Sequence, residues 1–139
     1  MGKELAVKGC TFKASITPGT ISANCSTTTQ PASDVLVSNK GVFFDKITVT
    51  VPSGSSVTLP APPSGATSPS GQLMAPDTVD ISGTGSNVLR SDKKAVLKGD
   101  NGSKSITFTF PGPNGSQVPS PVTVKVEVDD PGQTDVIAL

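Results

Sequence analysis

Any chemistry in this 139-residue chain would have to come from two cysteines and eleven acidic side chains, because it has no histidine, tyrosine or tryptophan. Cys10 and Cys25 are the only strong nucleophiles, and no base is placed in the sequence to activate either thiol. Bridged, they would close a short loop and contribute about 3 kcal/mol on the loop-entropy account. The opening residues lack the apolar core of a signal peptide, so two reduced, partly buried thiols are expected. As metal ligands the two are half a set, since structural zinc sites usually present four nitrogen or sulfur donors. No metal and no cofactor are expected. Asp92, Asp100, Asp129 and Asp130 carry the oxygen donors that a carboxylate pair or a calcium site needs. Each stands beside turn residues, where Asp caps the local backbone, and a structural role is expected.

Two further patterns fall to the same kind of argument. Gly83-Thr84-Gly85-Ser86-Asn87-Val88 begins like a dinucleotide fingerprint but puts Val88 where the third glycine belongs, and no helix pattern follows. Asn24-Cys25-Ser26, Asn101-Gly102-Ser103 and Asn114-Gly115-Ser116 match the glycosylation acceptor, which has no enzyme to read it without secretion. The two Asn-Gly pairs read instead as turns that tolerate positive φ. No catalytic residue emerges, and a hydrolase or redox enzyme built on Cys10 or Cys25 is the weakest of the readings. The expectation is a protein that is not an enzyme and takes no small-molecule substrate.

The elements that would position any site follow from composition. Hydrophobic residues make up 34% of the chain, while 14 Gly and 13 Pro punctuate it too often for long helices. The apolar residues are mostly Val, Ile and Phe, which suit a pleated, half-buried surface. An all-β fold is expected: one compact β-rich domain of hairpins over 1–139, either a cone or a small sandwich, with long Pro/Gly/Ser loops. Eleven basic and eleven acidic residues cancel, so no net field draws in nucleic acid or an anionic surface. No apolar run approaches the roughly 18 residues of a membrane span.

Strict alternation predicts strands at Ile47-Thr48-Val49-Thr50-Val51, Ile106-Thr107-Phe108-Thr109-Phe110 and Val122 to Val128, each stopped by Pro or Gly. Leu5 to Phe12 reads as a first strand, and residues 20–32 as a weak strand around Ile21 or a loop. Residues 60–77 hold too much Pro, Gly and Ser for regular structure and read as a long loop or arm. The most regular feature is a near-duplication. Ser33-Asp34-Val35-Leu36-Val37-Ser38-Asn39-Lys40-Gly41-Val42-Phe43-Phe44-Asp45 is echoed by Ser86-Asn87-Val88-Leu89-Arg90-Ser91-Asp92-Lys93-Lys94-Ala95-Val96-Leu97-Lys98-Gly99-Asp100. Each copy reads as strand, tight polar turn, strand.

The second copy, together with the opening Leu5-Ala6-Val7-Lys8-Gly9-Cys10, resembles the PAAR-like proteins that tip the central spike of contractile phage tails, type VI secretion systems and related injection particles. The resemblance covers about half the chain in short motifs. It implies a small β-rich cone capping a trimeric β-helical spike, one copy meeting three chains, and a mechanical role in membrane puncture. The target membrane would be met only transiently. Many members hold zinc through His and Cys; with no His here, Cys10 and Cys25 would be at most remnants of such a site. A chain made in the cytoplasm without a signal peptide, and carried out in a tail-like particle or virion, is the implied itinerary. The alternative is a decoration or fibre β-sandwich module, against whose sugar-binding form the lack of Trp and Tyr counts. For a cap, the strands around Ile47, Val49, Val51, Phe108 and Phe110 are the expected partner-binding residues, and the free form is expected to expose an apolar patch larger than a monomer tolerates.

Overall fold

A computed structural model describes residues 3–37, 39–90, 93–133 and 137–138, with 86–90 and 137–138 described by their backbone pairing. Among them the chain is all-β, with one 3-10 turn at Pro113–Gly115. The alternating segments form strands as expected. β13 (Asn101–Pro111) and β14 (Gln117–Val128) make the longest hairpin, in register from Asn101↔Glu127 to Pro111↔Gln117. β2 (Phe12–Ile16) joins β14, and β9 (Ser70–Gln72), β8 (Ser56–Thr58) and β3 (Thr20–Ser22) follow on the other side. The resulting six-stranded antiparallel sheet curls until it is nearly closed, its end strands β2 and β3 in contact.

A second sheet of β10 (Asp77–Ser82), β7 (Lys46–Val51) and β4 (Ser26–Thr27) lies across the first. Period-two alternation gives each strand one apolar face. The burial pattern of β7 accordingly reads exposed, buried, intermediate, buried, intermediate, buried. The faces meet in a core built around Ile47, Val49, Val51, Val79, Ile81, Ile106, Phe108, Phe110 and Val124. Polar outer faces are tied by exposed contacts, such as Lys104 Nζ to Asp77 at 2.7 Å. That ammonium holds the Asp77 carboxyl below its ordinary range. Pairs so exposed contribute under about 1 kcal/mol.

Two sequence expectations are corrected. Leu5 to Phe12 is not one strand: a turn in which Cys10 N–H donates to Val7 O at 2.9 Å, with Gly9 at φ 93, separates an isolated bridge segment from β2. Residues 60–77 are not without regular structure, since they contain β9 and end at the first residue of β10. The Pro-rich stretch between β8 and β9 is a hairpin loop whose backbone is pinned across its own base and to the end of β13. Leu59 N–H donates to Pro69 O at 2.9 Å and Thr67 N–H to Pro111 O at 2.8 Å. Gly71 is required there, because a Cβ would stand 2.7 Å from the Phe110 ring. Residues 20–32 contain the short β3 and β4.

Candidate functional site

Both copies form a hairpin: β5 (Leu36–Val37) pairs with β6 (Lys40–Gly41), so Lys40 and Gly41 are strand where the sequence reads as turn, and β11 (Gly85–Arg90) pairs with β12 (Lys93–Ala95). The turn residues Ser38, Ser91 and Asp92 lie outside the described residues. Asn39 turns the first at φ 63, a conformation Asn tolerates. What they build is larger than two hairpins. The segment after each hairpin, 42–44 and 95–97, meets a third segment, 5–7, in a closed cycle. Val7 bridges Val42, Phe44 bridges Ala95, and Leu97 bridges Leu5.

The hydrogen bonds repeat with the same three-fold order. Phe43 N–H donates to Ala6 O at 3.1 Å, Val96 N–H to Phe43 O at 2.9 Å and Ala6 N–H to Val96 O at 2.8 Å. A second cycle surrounds the first: Lys8 N–H to Gly41 O, Asp45 N–H to Lys94 O and Lys98 N–H to Glu4 O, each at 2.8 Å. Within each cycle every segment gives to one neighbour and takes from the other, and the two cycles run in opposite senses, so each segment exchanges hydrogen bonds with both of its neighbours.

Alternation along these short segments sorts their side chains into two groups. The central residues Ala6, Phe43 and Val96 are buried in the main core. Their flanking residues Leu5, Val7, Val42, Ala95 and Leu97 gather with Val37 in a separate apolar cluster, against which Val35 and Phe44 pack. Each ring segment is preceded by a strand paired at equivalent register: Leu36↔Gly41, Leu89↔Lys94, and Ile137↔Glu4. The third pair joins β1 (Lys3–Glu4) to β15 (Ile137–Ala138), opposite ends of the chain. Leu36 stands 53% exposed.

Asp100 fixes the ring to the body. It is 4% exposed. Its carboxylate accepts Leu97 N–H at 2.8 Å, Thr84 N–H at 3.1 Å and the Thr84 hydroxyl. The turn it closes, with Asp100 N–H to Leu97 O at 3.0 Å and Gly99 at φ 86, is the counterpart of the Val7–Cys10 turn.

The residues expected from sequence to bind a partner lie elsewhere. Ile47, Val49, Val51, Phe108 and Phe110 are each 0% exposed in the core between the two sheets. This is a correction with a plain cause: the apolar faces are covered by the other sheet of the same chain. Among the described residues the exposed large hydrophobics are Leu36 and Met74, not a broad patch. Of the acidic residues singled out, Asp92 lies outside the described residues. Asp129 N–H donates to Thr11 O, and the Asp130 carboxylate accepts Gly132 N–H at 2.9 Å within a turn.

Cys10 and Cys25 are unbridged and line one cavity of about 470 Å³ with Phe12 and Phe43. Burial pushes the Cys10 thiol up to about 11 and raises Cys25 as well. A raised thiol is a poor nucleophile at neutral pH, since the thiolate is the reactive form. Alkylation of Cys10 by iodoacetamide should therefore be slow at pH 7 and quicken about tenfold per pH unit below its pKa. Fast labelling at neutral pH, followed by peptide mapping, would contradict the burial argument.

Sequence reasoning missed the third member of the ring. Its signal is present but divided between the chain ends: Thr134-Asp135-Val136-Ile137-Ala138 parallels Ser33 to Val37 and Ser86 to Arg90, while Leu5-Ala6-Val7-Lys8-Gly9 parallels Ala95 to Gly99. Comparison with known proteins finds no matching family model, curated protein or solved structure. Among the described residues no helix is long and apolar enough to cross a membrane.

Proposed function

We propose that this chain is a non-enzymatic cap for a three-fold-symmetric β-structured shaft: a PAAR-like tip on the trimeric spike of a contractile injection particle. The observation that carries the reading is the closed three-segment ring with its three equivalent strand pairs. A single chain that presents the same backbone pattern three times around one axis can meet three identical chains in equivalent ways. An asymmetric end would satisfy one chain and leave the polar backbone of the others unpaired, at a cost of about 1–3 kcal/mol for each buried group.

The distribution of charge supports the same orientation. Residues 14–33, 47–76 and 105–124 contain no Asp, Glu, Lys or Arg. In the β13–β14 hairpin, Asn101 and Glu127 lie at the ring end and Pro111 and Gln117 at the other. From Ser105 to Pro111 the strand runs roughly 20 Å at about 3.3 Å per residue without a charge. A charged side chain at a bilayer centre costs about 2.5–3.5 kcal/mol on insertion scales, so an uncharged leading end lowers the resistance to puncture. The ring end faces the shaft and the uncharged end leads.

The test is a search of the neighbouring genes for a trimeric β-helical spike, followed by co-purification of the two proteins. Wild-type protein should bind one copy per spike trimer. Leu36→Asp should abolish binding while leaving the circular dichroism spectrum and melting temperature near wild type, because Leu36 is half exposed in the free chain. A wild-type protein that binds no co-encoded trimer removes the assignment. Undiminished binding by Leu36→Asp removes this hairpin from the contact.

A further inference from the structure

The chain contains two Asn-Gly pairs, and the structure treats them differently. Asn101 opens the β13–β14 ladder opposite Glu127, and Gly102 lies within it opposite Val126. The Asn101 side-chain amide donates to Gly99 O at 3.2 Å, and the Gly102 backbone is pressed against the Asp80 carbonyl. Asn114 and Gly115 form the exposed turn between the same two strands, with φ values of 57 and 75. That turn is closed by Gly112 N–H to Ser116 O at 2.7 Å and Ser116 N–H to Pro113 O at 3.1 Å. Neither bond uses the Gly115 amide, and a Cβ on Gly115 would meet nothing within 4 Å.

We infer that Asn114 is a site of spontaneous, non-enzymatic deamidation and that Asn101 is protected by the sheet. The reaction needs the backbone nitrogen of the following residue to reach the side-chain carbonyl carbon. Glycine offers the least steric hindrance to that approach. In the first step the Gly115 nitrogen loses its proton and bonds to Asn114 Cγ, the Cγ–N bond of the amide breaks, and ammonia leaves with the proton. The product is a five-membered succinimide. Water then adds either to Cγ, breaking its bond to the Gly115 nitrogen and giving aspartate, or to the main-chain carbonyl carbon, giving isoaspartate in which the uncleaved chain runs through Cβ and Cγ. No oxidant, metal or enzyme enters the balance; water is the only co-reactant.

At Asn101 the same geometry is closed off. The attacking nitrogen belongs to a residue held in an extended ladder, and the rotation that would bring it onto Cγ must break the Gly102–Val126 pairing. At Asn114 the rotation disturbs only an exposed turn, held by the two backbone bonds and by the Ser116 hydroxyl donating to Pro113 O at 2.7 Å. The consequence is specific to this chain. Residues 105–124 hold no charge, so the product carboxylate is the first ionised group in that stretch and takes the formal net charge from zero to negative.

The test uses the intact purified chain, held at mildly alkaline pH and sampled over time by proteolytic digestion and mass spectrometry, with a parallel sample in denaturant. Expected is conversion of the Asn114 peptide to aspartate and isoaspartate at least an order of magnitude faster than the Asn101 peptide in the folded protein, with an acidic form rising on ion exchange at the same rate. In denaturant the two sites should convert at similar rates, since each is then a free Asn-Gly pair. Asn114→Gly, which tolerates the positive φ at this position, should suppress the acidic form while leaving the melting temperature near wild type. Equal rates at the two sites in the folded chain would overturn the inference. So would an Asn114 peptide that stays unconverted while its denatured counterpart reacts.

Discussion

Phe110→Asp should leave the chain unfolded in dilute buffer. The ring is fully buried, lies against Gly71 and belongs to the core between the two sheets. Truncating a buried Phe costs about 3–5 kcal/mol. Leaving a carboxylate in the space with no partner adds several more, or forces it to take up a proton. The sum, on the order of 5–10 kcal/mol, matches the whole stability of an ordinary domain. Far-ultraviolet circular dichroism and amide dispersion in NMR spectra should both report loss of the fold. Phe110→Leu, which keeps an apolar side chain, should fold with a lowered melting temperature. A Phe110→Asp protein that melts like wild type would mean that the ring faces outward and does not belong to the core between the two sheets.

Asp100→Ala should produce the next largest effect for a different reason. Nothing apolar is lost, but the Leu97 and Thr84 amides lose their acceptor together with the Thr84 hydroxyl. The Leu97 donor is buried and costs about 1–3 kcal/mol when stranded, while Thr84 is exposed and its donors can turn to water. A loss of about 2–3 kcal/mol should lower the melting temperature on the order of 5–10 °C. Hydrogen exchange at Leu97 should speed up more than exchange in the β13–β14 ladder, because the lost bonds hold one ring segment to the body. Asp100→Asn keeps a carbonyl acceptor and should fall between wild type and Ala. An unchanged melting temperature for Asp100→Ala would show that water replaces the carboxylate without penalty.

The strands that alternate strictly were legible in the sequence, because period-two burial writes itself directly into residue type. Ile47 to Val51, Ile106 to Phe110 and Val122 to Val128 all lie in strands with the buried faces the pattern implies. Alternation says which side of a strand avoids water, but not what covers it. That gap misplaced Phe108 and Phe110 at a partner surface, when the second sheet of the same chain covers them. β9 was hidden because Ser70-Gly71-Gln72 has no apolar side chain to mark it; its Gly is there to admit the Phe110 ring. The duplicated hairpins were legible from Ser33 and Ser86 onward. Their third counterpart was not, since half of it is β1 and the other half is β15, and neither two-residue strand carries a pattern alone.

The cyclic ring also constrains the order in which the chain can fold. Leu5 must find Leu97 and Ala6 must find Val96, contacts that span most of the sequence, and no pair of segments alone closes either hydrogen-bond cycle. Such non-local pairing delays folding, because the entropy of closing a long loop is lost before the contacts repay it. Refolding on the millisecond-to-second scale typical of high-contact-order β proteins follows. A nascent chain that has not yet released residues 94–98 from the ribosome has two of the three segments and no ring. The three-fold end therefore comes into being late and as a unit, and a partly folded copy does not present it at all.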